Sequence, residues 1–91
     1  MLQANQKIYR SKKKKFKYSI KIADFYFYQS AKSLIEKISS ETNIKNHTIK
    51  KLSETKYRVL LGPFNDIKKL KSSFNEIILL EFENLEILKD V

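Results

Sequence analysis

Polar and basic residues run without apolar period through residues 1–15, and the first regular pattern begins at Phe16. Tyr18, Ile20 and Ile22 alternate with Ser19, Lys21 and Ala23, the period of a strand that buries one face. Ala31, Leu34, Ile35 and Ile38 follow at i, i+3, i+4 and i+7, laying one apolar stripe along a helix of about three turns that residues 39–43 end. Residues 44–52 read as a second strand and residues 53–56 as a hairpin loop. Residues 57–61 then form a third strand that Gly62-Pro63 stops. Asn65 is placed to cap a second helix with a buried stripe of Ile67, Leu70, Phe74, Ile77 and Ile78. Residues 85–88 supply a last short strand.

The two halves of this pattern repeat at an offset of 39 residues: Ile20-Lys21-Ile22-Ala23-Asp24-Phe25 lies over Val59-Leu60-Leu61-Gly62-Pro63-Phe64, and Ala31, Ile35 and Ile38 lie over Leu70, Phe74 and Ile77. Each half therefore reads strand, small residue, Phe, amphipathic helix, strand. Two such halves predict an α+β fold of order βαββαβ, ferredoxin- or RNP-like. Right-handed crossovers put the first and third strands at the centre of a four-stranded antiparallel sheet, with both helices on one face. The other face is left open. If Ile20, Ile22, Val59 and Leu61 point to the helices, strict alternation sends Ser19, Lys21, Ala23, Arg58 and Leu60 outward.

With 91 residues the chain holds one domain, placed at residues 16–91 behind a basic linker or tail at 1–15. The net charge of +9 is concentrated in that tail and its junction. Of 19 basic side chains, seven precede Tyr18, leaving twelve against ten acidic ones, a net +2 for the rest. The domain itself is thus no strongly basic nucleic-acid binder. The chain contains no Cys and one His, His47, read as a loop or strand-edge residue, so a thiolate or histidine metal centre and a nucleophile–base pair lack partners. Glu81, Glu83 and Glu86 cluster near the last strand and read as a solvated edge rather than a glycosidase acid and base. No catalytic site, metal or cofactor is expected. No apolar run is long enough to span a membrane, and the first residues lack the apolar centre of a secretory signal.

The block Tyr57-Arg58-Val59-Leu60-Leu61-Gly62-Pro63-Phe64 closely resembles the YRVxxGPF signature in the second half of SPOR domains. Ile20 to Phe25 resembles the family's first-strand motif, and Ala31 to Ile38 its following helix, so the resemblance covers about residues 16–89. It implies a monomeric, non-catalytic module that binds peptidoglycan glycan strands lacking stem peptides. It also implies a place in the bacterial cell envelope at the division septum, within a longer exported protein. The family's first-strand Gln falls on Lys21, its nearby Ser on Asp24 and its third-strand Arg on Arg58.

Around these three, the open face offers Leu60 for the apolar side of a pyranose, with Lys50 and Leu88 on the flanking strands as further glycan contacts. Tyr26, Phe27 and Tyr28 form an aromatic cluster in which at most two rings are readily buried, and Tyr26 or Tyr28 is expected to border the site. Two rival readings share the fold. An RRM-like RNA-binding domain would explain the lysine-rich tail, but it stacks bases on aromatics of the first and third strands, where Lys21, Ala23, Arg58 and Leu60 stand here. A protein-interaction module would use the sheet face or an edge strand.

Overall fold

Residues 16–89 are described by a computed structural model; the tail assigned to residues 1–15 lies outside them. The elements are β1 (Tyr18–Phe25), α1 (Tyr28–Glu41), β2 (His47–Ser53), β3 (Lys56–Phe64), α2 (Ile67–Ile77) with a 3-10 turn at Ile78–Leu80, and β4 (Glu86–Lys89). The sheet runs β2-β3-β1-β4, each neighbouring pair antiparallel. The fold is α+β with the predicted βαββαβ order and the first and third strands at the centre.

The 39-residue offset organises the interior. Tyr28 and Ile67 open the two helices, and His47 and Glu86 open the two edge strands, each pair one repeat apart. Four buried pairs keep the same spacing: Ile20 with Val59, Ile22 with Leu61, Ala31 with Leu70, and Ile38 with Ile77. These eight residues, with Ile44 and Phe64, make one cluster between the sheet and both helices. Full burial of each large aliphatic side chain contributes roughly 1.5–3 kcal/mol relative to exposure, so this cluster is the main stabilising term.

Local chemistry sets the element ends, in places differently from expectation. Asp66, rather than Asn65, caps α2: its Oδ1 accepts from the Lys68 N–H at 2.8 Å. Ile67 and Ile78, expected in the buried stripe, lie exposed at the two ends of α2, beyond the reach of the sheet. At the end of α1, the Thr42 hydroxyl donates to the Ile38 carbonyl at 2.8 Å and accepts from the Ile44 N–H at 3.0 Å. Those bonds turn the chain so that Ile44 drops into the core before β2 begins, three residues later than predicted.

Gly62-Pro63 does not stop β3. Phe64 still pairs with Tyr18 and is buried, and the extra residue is absorbed as an irregularity between Tyr18 and Ile20. Gly62 adopts φ 120°, a conformation other residues rarely reach, and a Cβ there would stand 3.0 Å from the Ser19 hydroxyl oxygen.

Candidate functional site

The face of the sheet opposite the helices is shaped by one β-bulge. Along β1, Lys21 lies opposite Leu60 but Ala23 lies opposite Val59, so Ile22 is an extra residue with no partner of its own on β3. Up to Lys21, even-numbered residues of β1 face the core. Beyond the bulge the faces exchange, as an inserted residue requires. Ala23 shares the face of fully buried Val59 and packs against the core, which corrects its expected outward position. Ser19 keeps the open-face parity but is itself buried, pressed against Gly62.

The exchange brings Asp24 onto the open face directly opposite Arg58. The guanidinium closes on the carboxylate with both prongs: Nε donates to Oδ1 at 2.8 Å and an Nη donates to Oδ2 at 3.0 Å. Lys21 Nζ approaches the same carboxylate at 3.9 Å and Lys56 Nζ at 4.0 Å. Side chains of Lys21, Asp24 and Arg58 are 20%, 21% and 24% exposed, shielded enough to hold their geometry and open enough to be touched. The bond from Arg58 holds the Asp24 carboxyl below its ordinary pKa, assisted by the charges of Arg58, Lys21 and Lys56 and opposed by desolvation. The reciprocal bond raises Arg58, with the Asp24 and Glu86 charges adding to it.

Cross-strand register fixes the rest of this face. One row runs Thr48, Leu60, Lys21, Glu86; the next runs Lys50, Arg58, Asp24; and Leu88 stands opposite Ser19. Six of the predicted positions, Lys21, Asp24, Lys50, Arg58, Leu60 and Leu88, therefore share one surface. Tyr28 does not join it. Tyr28 meets the Tyr57 ring edge-on at 5.8 Å, and Tyr57 alternates to the helix side with Val59. Tyr26 stands past the end of β1 with its ring 4.9 Å from that of Phe27. Tyr26, Phe27 and Tyr28 are all more than half exposed, within the limit of at most two buried rings set from the sequence. The helix starts at Tyr28 with Phe27 at its N-cap position.

Lys56 and Glu86 belong to this surface, and sequence reasoning misses both as site residues. The residue pattern puts Lys56 in the hairpin loop, yet it lies two residues before Arg58 on the same face of β3, and that spacing is the available signal. Alongside the cluster, where β4 stops pairing with β1 at Lys21, a groove of about 490 Å³ is lined by residues 21–24 and 81–84, bringing Glu81 and Glu83 beside Lys21 and Asp24.

Chemically, the surface presents fixed cationic N–H donors beside carboxylate acceptors, with Leu60 as an apolar neighbour. The open-face residues of the central strands, Lys21, Asp24, Arg58 and Leu60, include no aromatic ring on which a base could stack. Among the described residues no three His, Cys, Asp or Glu side chains group as metal ligands, and no helix is long and apolar enough to cross a membrane. Comparison with family models, curated proteins and solved structures finds no match in any of the three.

Proposed function

We propose that this chain is a non-catalytic binding module for peptidoglycan glycan strands lacking stem peptides, and that it positions its parent protein at the division septum of a bacterial envelope. The observation that carries the reading is the open-face cluster of Asp24, Arg58 and Lys21. It combines donors and acceptors within one sugar's reach, on a rigid sheet and without a stacking platform. The resemblance of Tyr57 to Phe64 to the SPOR signature supplies the choice of glycan.

In this reading the paired geometry changes what each residue does. Arg58 has two of its N–H groups committed to Asp24, so its remaining N–H groups and Lys21 Nζ are the donors to sugar hydroxyls. Asp24 accepts from hydroxyls with lone pairs that Arg58 leaves free. Leu60 packs under the C–H face of the ring, while Lys50 and Leu88 extend contact along the strand.

The test is a pulldown of the 91-residue chain with purified sacculi, before and after amidase removes the stem peptides. Stronger retention after amidase, reduced in both Lys21→Ala and Arg58→Ala, is the expected result. Equal retention on both preparations, indifferent to both substitutions, would exclude the sheet face as a glycan site.

A further inference from the structure

A second surface lies on the helix side of the molecule, along the free edge of β2. Among the described residues β2 pairs with β3 alone. The Gly62 N–H donates to the Asn46 carbonyl at 2.7 Å, one step before His47 comes opposite Leu61. Antiparallel strands alternate the direction of their backbone groups, so Thr48 and Lys50 bond toward β3, whereas Ile49 and its neighbours His47 and Lys51 direct N–H and C=O outward. A row of unpaired backbone groups is a template for one more strand.

Beside this row runs a groove of about 370 Å³ between α1 and β2, lined by Tyr28, Lys32, Ile35, His47 and Ile49. It has an apolar floor in Ile35 and Ile49, a phenol at one end, and at the other His47, whose Nε2 lies 3.3 Å from the Ser39 hydroxyl. No carboxylate lines it. Lys32 on the rim and Lys50 on the strand have no ion-pair partner among the described residues. The segment 44–53 carries Lys45, Lys50 and Lys51 and no acidic residue.

We propose that the β2 edge is a docking site for an extended acidic peptide, which adds as a fifth strand and seats alternate side chains in the groove against α1. Charge selects the occupant. A second copy of β2 would set its own lysines against Lys50, whereas a strand bearing Asp or Glu is drawn to Lys50 and Lys32; Lys51 already has Glu54 at 3.5 Å. Main-chain bonds supply affinity and the groove supplies register, the division of labour in strand-addition recognition. The site shares only Lys50 with the open-face surface, and because its test runs through Lys32 and Ile49 it stands or falls independently of glycan binding.

The probe is a synthetic octapeptide alternating valine and glutamate, with valine–lysine as the control, titrated into the full chain while backbone amide shifts are followed by NMR. The valine–glutamate peptide is expected to bind at least about tenfold more tightly than the control and to shift Ile49, Lys51 and the α1 residues Lys32 and Ile35. Lys32→Glu should weaken it by about tenfold, and Ile49→Pro, which deletes an outward N–H, should abolish the shifts. If Ile49→Pro fails to fold, as its circular dichroism would reveal, the Lys32→Glu arm and the shift map decide. Shifts confined to residues 7–17 and unaltered in Lys32→Glu would assign the affinity to the basic tail and overturn the proposal. Concentration-dependent self-association with the same edge shifts would assign β2 to a second copy and overturn it equally.

Discussion

Replacing Asp24 with Asn isolates the charge at the centre of the open face. The substitution keeps the side-chain shape and one acceptor for Arg58 Nε, but sets an NH2 group against the second guanidinium prong. It also leaves Arg58, Lys21 and Lys56 clustered about a neutral group. A charge-assisted bond contributes about 1.5–3 kcal/mol and an exposed ion pair a few tenths. With side chains about one-fifth exposed and relief of Asp24 desolvation acting in the opposite direction, the net loss should be about 1–2 kcal/mol at pH 7. For a domain of this size that lowers Tm by roughly 4–16 °C. The pH dependence carries the stronger test. Asp24 titrates below its unfolded value, so its stabilisation is complete above the unfolded pKa and is lost as pH falls through the folded one. Urea melts of both proteins from neutral to acid pH should therefore converge on the acid side. A gap at pH 7 no larger than the ~0.5 kcal/mol of an ordinary surface change, or one that persists undiminished in acid, would refute the assigned ion pair.

Three further outcomes follow from the packing. Gly62→Ala should destabilise by about 1–3 kcal/mol in chemical denaturation, because its φ is positive and its Cβ would crowd Ser19 and Phe64; an unchanged midpoint would mean that this corner relaxes freely. Ile38→Ala removes a fully buried side chain shared by sheet and helices and should cost about 2–5 kcal/mol, against less than about 0.5 kcal/mol for Ile78→Ser at the exposed end of α2. Deleting residues 1–15 should leave retention on amidase-treated sacculi largely intact, and its complete loss would move the glycan site off the sheet.

The fold is legible because duplication makes each half's pattern support the other's. Ala31 and Ile38 are weak evidence alone, but Leu70 and Ile77 repeat them at the same spacing, and all four are buried. Pairing interactions are harder to read. A bulge depends on which residue of the partner strand each position faces, and nothing local to Ile22 announces it. Alternation alone therefore puts Ala23 outside and leaves Asp24 on the core side, although the resemblance names Asp24 for the site. The Asn65–Asp66 choice of cap turns on one residue of phase, since both side chains are good acceptors. Tyr28 falls elsewhere than expected relative to the sheet because its position follows from where α1 begins, which the aromatic run itself does not determine.

The extra residue in β1 also shapes how this surface can change through evolution. It behaves as a frameshift written in side chains: before it odd positions meet solvent, and after it even positions do. A deletion at Ile22 would restore plain alternation and leave Ala23, Asp24 and Phe25 opposite the same partners on β3, whereas flattening the bulge with Ile22 kept in the ladder would turn a carboxylate into the interior and expose Ala23 and Phe25. Point substitutions at Asp24 can retune what the face recognises without disturbing the core, whereas loss of the bulge with Ile22 retained erases recognition and folding together. Drift at this site should accordingly proceed by exchanges of residues that keep Asp24 or its replacement opposite Arg58.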